Sequence, residues 1–266
     1  AAPSSRVAKP SMPCHSPDPC RIVRAGAAPV NAPGRGAMMK LVIGAKWSST
    51  WTMRGWLACR LSGLPFETET LFLSRPDSKA RLEAVSPTGL IPVLFHDGLT
   101  ITDTLAIAEY LWEISPGCDI WPAGRAARTA ARSSAAEMHA HFGELRAALP
   151  MNLVKRWPIK DGIPSNAKLL GRPGVEAQVA RVQRSWAGVR AAHGAGGPYL
   201  FGARFGFADA MWAPMASRFR TYSVPLTRDA QAYADAVLAH PHVREWVEGA
   251  EAQAREIGWE ACAAWP

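Results

Sequence analysis

The sequence lacks the features of a membrane-spanning or metal-dependent protein. No apolar run reaches the ~18–20 residues that a transmembrane helix needs. Cysteine is scarce: the five cysteines are odd in number and scattered, and Cys14 and Cys20 have only His15 nearby as a further metal ligand. We therefore expect a cytoplasmic protein of a reducing compartment, without a metal site and without a membrane partner.

Positive charge is present, but it is not concentrated along the folded part of the chain. The net charge is +8, and about half of it comes from residues 1–38, where five basic residues stand against Asp18. The remaining sequence has no basic helix stripe and no recognised nucleic-acid motif. The charge therefore indicates a solvated basic surface and no nucleic-acid partner.

Residues 1–38 lack hydrophobic periodicity and are rich in Ala, Pro, Ser and Arg. Such a segment cannot bury enough apolar surface to offset the entropy lost on ordering, so it is predicted to be a disordered extension. Its prolines oppose the amphipathic helix of an organelle transit segment. A strand pattern begins directly after it, which indicates Met38 or Met39 as the natural start.

Residues 39–117 have the pattern of a first domain that contains both strands and helices. The run Met39–Ile43 (MKLVI) is short and apolar, which predicts a buried strand. A helical pattern follows to Leu61 and is ended by Gly63. Residues 66–73 alternate between apolar and polar, so the chain opens with a strand, a crossover helix and a second, parallel strand.

A second strand pair and a helix complete this first domain. Residues 86–89 (SPTG) predict a turn, and residues 91–95 predict a third strand that opens with an Ile-Pro bond. The hairpin signal at residues 96–98 (HDG) makes residues 99–101 a fourth, antiparallel strand. Residues 102–114 then predict a helix with its own capping side chains at the start.

Residues 118–266 are predicted to form an all-helical second domain. Pro116, Gly117 and Pro122 mark the linker. Helical patterns cover residues 125–149, 175–193, 228–239 and 241–257. A further helix starts at Gly206, where Asp209 can accept a hydrogen bond from the Gly206 N–H, although glycine cannot return the bond of a full capping box. Asp209 is therefore expected to be structural.

Three motifs, in this order, resemble the glutathione transferase family. They are residues 48–54 (SSTWTMR), 88–94 (TGLIPVL) and 102–111 (TDTLAIAEYL). The first resembles the serine motif of the zeta class and of related bacterial transferases. The second resembles the family's cis-proline turn, and the third resembles its acidic-plus-hydroxyl signature for the γ-glutamyl group. The resemblance extends over about residues 39–260 and implies a thioredoxin-like N-terminal domain (β-α-β-α-β-β-α) followed by an all-helical C-terminal domain.

The resemblance implies a glutathione site formed by four residues of the second and third motifs. In the family, a cis bond before Pro92 exposes the backbone of Ile91, which can pair with the cysteinyl backbone of glutathione. Thr104 offers its N–H and hydroxyl to the γ-glutamyl carboxylate at a helix N-terminus, and Asp103 pairs with the ammonium. The ordinary alternatives are a trans proline that opens a strand and an acid that only caps the helix.

A serine at the start of the first helix is expected to activate the thiol. A free thiol has a pKa near ~8.5 and is only slightly ionised at neutral pH, whereas a hydroxyl donor and a helix N-terminus favour the anion. Ser49 is the preferred donor, with Ser48 and Thr50 as neighbours that stay open; Ser49 or Thr50 could also be a simple helix cap. Residues 44–54 contain neither Tyr nor Cys, which excludes a tyrosine-type enzyme and disfavours the thiol-transfer branch. Arg54 is expected to pair with a surface acid rather than reach an anionic substrate.

The resemblance implies an enzyme, a glutathione S-transferase that activates the glutathione thiolate for attack on a small electrophile. Its partners are then glutathione, that electrophile and a second copy of the chain in a homodimer. Glutathione-dependent isomerases of maleylacetoacetate type and ether-cleaving enzymes are alternatives, although the full zeta motif carries a Cys that is absent here. A non-catalytic docking module is the alternative from another class. Such modules often lose the hydroxyl or the acidic signature, whereas this chain keeps Ser49, Asp103 and Thr104.

Overall fold

The computed structural model describes residues 38–73 and 75–264, which belong to one compact unit. The predictions for the rest of the extension, residues 1–37, lie outside the described residues, and so do Cys14, His15 and Cys20. The predicted domain boundary between residues 117 and 118 stays a prediction.

The first half of the described chain alternates strands and helices in the predicted order. Its elements are β1 (Met39–Ile43), α1 (Thr50–Ser62), β2 (Phe66–Thr70), α2 (Ser78–Val85), β3 (Val93–His96), β4 (Leu99–Thr102) and α3 (Thr104–Ile114). The strands form one sheet in the order β2-β1-β3-β4. Strand β1 is parallel to β2 and antiparallel to β3, and β3 is antiparallel to β4, as predicted.

The turns of this half follow from local sequence. Helix α1 ends at Gly63, which has a φ of 72° that suits glycine. The β3–β4 turn has positive φ at both Asp97 and Gly98, as a two-residue hairpin of type I′ requires. Strand β2 is shorter than predicted because Thr70 pairs with Ile43, the last residue of β1. The strand therefore ends where its partner ends.

The second half is helical, with one exception. Its elements are α4 (Arg125–Ala140), α5 (Gly143–Ala148), β5 (Ile159–Lys160), β6 (Ile163–Pro164), α6 (Ala167–Leu170), α7 (Pro173–His193), α8 (Phe207–Thr221), α9 (Arg228–Ala239), α10 (Pro241–Ile257) and α11 (Trp259–Ala264). The β5–β6 hairpin turns through Asp161 and Gly162, both with positive φ, and it interrupts the predicted all-helical pattern.

The single helix predicted over residues 125–149 is wrong, because the chain breaks at Phe142. This residue has a φ of 67°, outside the helical region, and its buried ring packs 5.5 Å from the Trp212 ring. Burying the Phe142 ring against α8 therefore takes precedence over continuing the helix, and the chain forms α4 and α5 instead.

Helix α8 is the centre of the core. Nearly all of its residues are buried, and it packs against α1, α4 and α9. Cys59 on α1 is a buried core residue, as predicted, and burial raises the pKa of its thiol. No helix within the described ranges is long and apolar enough to cross a membrane.

Candidate functional site

A cleft of about 390 Å³ lies where the turn before β3 meets the start of α3. It is lined by Trp51, Thr88, Leu90, Ile91, Pro92, Thr102, Asp103, Thr104 and His139. The cleft therefore brings together all four predicted binding residues, from two motifs that are eleven residues apart in sequence. Other clefts of similar volume contain none of them.

The turn before β3 is closed by a side chain and covered by α1. The Ser86 hydroxyl accepts a hydrogen bond from the Leu90 N–H at 3.0 Å and lies 2.6 Å from the Leu90 carbonyl oxygen, to which it donates. The Ile91–Pro92 peptide is cis, as the resemblance implied, and Ile91 lies outside the ladder of β3. A Cβ atom at Gly55 would lie 2.8 Å from Pro92 Cγ, so α1 can approach the turn only because residue 55 is glycine.

The start of α3 presents an acid and a buried hydroxyl to the same cleft. The Asp103 side chain is 47% exposed; it accepts a hydrogen bond from the Leu105 N–H at 2.8 Å and lies 3.5 Å from His139 Nε2. Thr104 is fully buried, and its Oγ1 has no hydrogen-bond partner among the described residues. The first N–H groups of a helix also lack partners within that helix. This corner of the cleft can therefore accept a carboxylate at the helix and a cation at Asp103.

Ser49 precedes α1 directly, but its side chain does not cap the helix. A Cβ atom on Gly44 would lie 3.2 Å from Ser49 Oγ and 3.1 Å from Ile91 Cδ1, so the Ser49 hydroxyl and the Ile91 side chain both lie close to Gly44. Ser48 lies in the preceding turn, and Thr50 is the buried first residue of α1. The structure therefore places Ser49 next to the cleft, although none of these three hydroxyl residues belongs to its lining.

The loop that carries Ser49 is held by the helical half of the chain. The Lys46 N–H donates to Gln253 Oε1 at 2.7 Å, and the Lys46 carbonyl accepts a hydrogen bond from Trp246 Nε1 at 3.0 Å. Both partners lie on α10, some two hundred residues further along the chain. The position of the hydroxyl thus depends on tertiary contacts that the motif itself does not contain.

Two aromatic residues complete the cleft, and the motif analysis did not assign them. The Trp51 and His139 rings are 5.0 Å apart, and both line the cleft. Trp51 lies inside the serine motif, so its proximity could have been inferred from sequence. His139 comes from α4, and only the packing of α4 against the first half brings it to the site.

The expectation that Arg54 pairs with a surface acid is wrong. Arg54 is fully buried, and its Nε donates to the Met211 carbonyl oxygen at 2.9 Å. Its guanidinium carbon lies 4.8 Å from the centre of the Trp51 ring. Burial lowers the pKa of Arg54, and the positive charges of Arg218 and Arg146 lower it further. Within the described part of the chain, Arg54 forms no salt bridge.

Side chains that could form a metal centre are not gathered anywhere in residues 38–73 and 75–264. No group of three or more His, Cys, Asp or Glu side chains is arranged to hold a metal ion there. The chemistry available in the cleft is therefore that of hydroxyls, backbone amides, one carboxylate and one imidazole.

Comparison with solved structures places this fold among glutathione transferases. A glutathione transferase homologue from Burkholderia BGR1, solved with bound glutathione, matches with a TM-score of 0.60 at 23% identity and covers 81% of this chain and 100% of its own. A bacterial maleyl pyruvate isomerase of the zeta class, solved in its holo form, matches with a TM-score of 0.60 at 21% identity and covers 79% and 97%.

Comparison with curated sequences gives relatives of a consistent kind, each matched over a shorter stretch. A probable maleylacetoacetate isomerase from Caenorhabditis elegans is 32% identical over 94 residues, which is 35% of this chain and 44% of that protein. The chain spans a little under half of the length of the curated relatives that it matches.

Family models match both halves of the chain. The N-terminal domain of glutathione S-transferase matches residues 48–114, and the C-terminal domain of glutathione S-transferase matches residues 172–249. The first match contains the serine, cis-proline and acidic motifs, and the second contains α8 with Asp209. The chain belongs to the glutathione S-transferase family.

Proposed function

We propose that the chain is a glutathione transferase that binds glutathione in the cleft between the cis-proline turn and α3. The observation that carries the proposal is the convergence of Ile91, Pro92, Asp103 and Thr104 on one cleft, with a buried Thr104 hydroxyl that has no partner among the described residues. A buried polar atom without a partner is uncommon, and it points to a ligand group that completes its hydrogen bonding.

The residues of the cleft fit the ends and the middle of an extended, zwitterionic tripeptide. Thr104 and the α3 N-terminus offer donors for the γ-glutamyl carboxylate, and the half-exposed Asp103 carboxylate, beside His139, can pair with the ammonium. Ile91, outside the β3 ladder, offers its backbone groups to the cysteinyl unit. Of these groups, Thr104 Oγ1 has no hydrogen-bond partner among the described residues.

Bound glutathione supplies a thiol that, once ionised, attacks an electrophilic carbon of the second substrate. Ser49 is proposed to donate a hydrogen bond to the sulfur position, because its hydroxyl does not cap α1 and lies close to Gly44, as the Ile91 side chain of the cleft also does. The positive end of the α1 dipole favours a negative charge at the same point. Both effects stabilise the anion and lower the pKa of the bound thiol.

Isomerisation is the second candidate function. The maleylacetoacetate isomerase relatives and the zeta-class maleyl pyruvate isomerase favour it, because their names describe isomerases of maleyl keto acids and the last is described as a glutathione S-transferase. In such a reaction the sulfur adds to the carbon–carbon double bond and leaves again after rotation, so glutathione is not consumed. Turnover of a maleyl keto acid without loss of free thiol, against conjugation of a chloronitrobenzene with loss of thiol, separates the two activities.

The central experiment is a titration of the bound thiol by thiolate absorbance. In the parent chain the thiol of bound glutathione should ionise at a lower pH than free glutathione. Ser49→Ala should move the titration back toward ~8.5 and lower turnover, while glutathione still binds through Asp103 and Thr104. Ser48→Ala is the matched control, because it removes a neighbouring hydroxyl from the preceding turn.

The outcomes of this titration assign the chemistry. If only Ser48→Ala shifts the titration, the activating hydroxyl is Ser48. If neither variant shifts it and no electrophile or isomerisable substrate is turned over, the enzyme proposal is wrong and a non-catalytic docking module is the better explanation.

A cytoplasmic location and a homodimer belong to the same proposal. Light scattering of the purified chain tests the homodimer, which predicts about twice the chain mass of 28.7 kDa. Cell fractionation tests the location.

A further inference from the structure

Three arginines converge behind the Trp51 ring without an acidic partner. Arg54 is fully buried on α1, Arg218 is 3% exposed on α8, and Arg146 is half-buried on α5. The guanidinium carbons of Arg54 and Arg146 lie 4.8 and 4.7 Å from the centre of the Trp51 ring. One indole therefore contacts two cations, and a third cation lies close by.

The hydrogen bonds that this cluster, which we name the arginine cluster, makes to described residues go to backbone carbonyl groups. Arg218 Nε donates to the Leu149 carbonyl oxygen at 2.7 Å, just as Arg54 Nε donates to that of Met211. Arg146 Nη1 donates longer hydrogen bonds, of 3.3 and 3.4 Å, to the carbonyl oxygens of His139 and His141. Carbonyl oxygens position the guanidinium groups, but they do not neutralise them.

Several donors of the arginine cluster remain unused. Arg54 Nη1, Arg54 Nη2 and Arg218 Nη1 are buried and have no hydrogen-bond partner among the described residues. No described carboxylate lies within salt-bridge distance of the three guanidinium groups. An isolated buried charge is costly unless it is paired and hydrogen-bonded. The cluster thus has both surplus positive charge and surplus donors in one buried place.

The pKa shifts of these arginines also indicate positive charge that lacks a negative partner. Burial, together with the smaller effect of the Arg146 charge, lowers the pKa of Arg218 to about 9. Burial also lowers the pKa of Arg146. The only described group that opposes these effects is Tyr222, which raises the pKa of Arg218, and its hydroxyl already donates to the Pro150 carbonyl oxygen. The cations therefore repel one another without a counter-charge.

We propose that Arg54, Arg146 and Arg218 form a binding site for one small anion of carboxylate size at the contact between α1, α5 and α8. A planar guanidinium presents parallel N–H donors that match the two oxygens of a carboxylate, and the unused Nη atoms supply such donors from two sides. Trp51 contacts this site and also lines the glutathione cleft. The anion is either a free ion from solution or the carboxylate of a second substrate.

The site is tested by the thermal unfolding midpoint of the full chain in sodium formate, compared with a bulky sulfonate salt at equal ionic strength. A ligand that binds only the folded state raises the midpoint, here by roughly 2–4 °C at a few times its dissociation constant. Arg218→Met should abolish this increment. Arg132→Met is the matched control, because Arg132 already pairs with Glu109 at 2.8 Å, and it should keep the full increment.

A second measurement does not depend on the stability of a variant. Crystals of the parent chain grown with bromide should show an anomalous peak within hydrogen-bond distance of the unused Nη atoms of Arg54 and Arg218. The absence of such a peak, or a formate increment that is equal in the parent and in Arg218→Met, overturns the proposal.

The source of the anion is decided separately, and this step rests on the proposed function. If a substrate carboxylate occupies the site, formate should raise the KM of an electrophile that carries a carboxylate, but not that of its methyl ester. If formate raises the unfolding midpoint and leaves both KM values unchanged, the ligand is a free anion. If no substrate is turned over, the proposed function is wrong. The thermal unfolding midpoint and the anomalous bromide peak still test the anion site in that case.

Discussion

Two acidic residues at the starts of two helices have different surroundings, which suit them to different roles. Asp209 at the start of α8 is 1% exposed and accepts three hydrogen bonds, from the Leu200 N–H, the Gly206 N–H and the Tyr233 hydroxyl, each at 3.0 Å. Asp103 at the start of α3 is half exposed and accepts one bond from the backbone. A carboxylate with all of its partners inside the chain stabilises the fold, whereas one with open oxygens in a cleft can bind a ligand.

The backbone sharpens this comparison. Asp103 has φ 73° and ψ 142°, a conformation that only glycine adopts readily, whereas Asp209 lies in the first turn of a regular helix. Strain of this kind persists where the surrounding structure holds it, and it is concentrated at binding sites. The acid at the proposed binding site is therefore the strained one, and the buried acid of α8 is not.

The largest expected effect is the loss of the Asp209 carboxylate. Asp209→Ala leaves three donors without an acceptor, and each buried unpaired donor costs about 1–3 kcal/mol. The free energy of unfolding should fall by roughly 3–5 kcal/mol in urea titrations, while glutathione affinity of the folded chain stays unchanged. A fall below ~1 kcal/mol would remove the distinction drawn between the two acids.

The second largest expected effect is a pH dependence of the free energy of unfolding that comes from Asp209. Burial raises the pKa of its carboxyl from 3.8 to about 6. The folded chain therefore holds this proton more tightly than the unfolded chain. The contribution of this proton to the free energy of unfolding is present below pH ~4 and is lost as the pH rises to ~6. The difference in unfolding free energy between the parent and Asp209→Asn should change by about 2–3 kcal/mol across this window. Parallel pH profiles for the two proteins would contradict the assignment.

Glutathione binding should fall when the cleft loses either of its α3 groups. Asp103→Ala and Thr104→Val should each weaken binding by roughly 1–3 kcal/mol in calorimetry, because a charged or buried ligand group loses its partner. Thr129→Val is the control, since its hydroxyl donates to the Arg125 carbonyl oxygen on the exposed side of α4. If all three variants bind like the parent, the γ-glutamyl site is elsewhere.

The smallest effect separates backbone strain from the carboxylate. Asp103→Gly and Asp103→Ala both remove the acid, but only glycine relaxes at a positive φ. Asp103→Gly should therefore be more stable than Asp103→Ala by about 1 kcal/mol, with equally weak glutathione binding. Equal unfolding free energies for the two variants would show that residue 103 stores no strain.

Most of the first half of the fold was predictable from local patterns. Residues Met39–Ile43, the glycine after α1, the hairpin turn at Asp97 and Gly98, and the capped start of α3 each depend on a few neighbouring residues. In the helical second half, the predicted helix bounds were equally accurate where the helix has clear ends, as α9 and α10 have. The break at Phe142 was not predictable, because it depends on a ring that packs against α8, about seventy residues further along the chain.

The candidate site, like the fold, has features that were predictable from local sequence and features that were not. From the sequence, the resemblance of three short motifs to the family predicted the cis-proline turn, the acid and hydroxyl at the start of α3, and the serine before α1, because each belongs to a motif of adjacent residues. Only the tertiary structure decided that Ser49 and Ile91 both lie close to Gly44, that His139 joins the cleft, and that Arg54 is buried near Arg146 and Arg218 instead of pairing with a surface acid. The physical reason is that hydrogen bonding and turn geometry act between neighbours in sequence, whereas burial and charge compensation depend on which distant helices pack together.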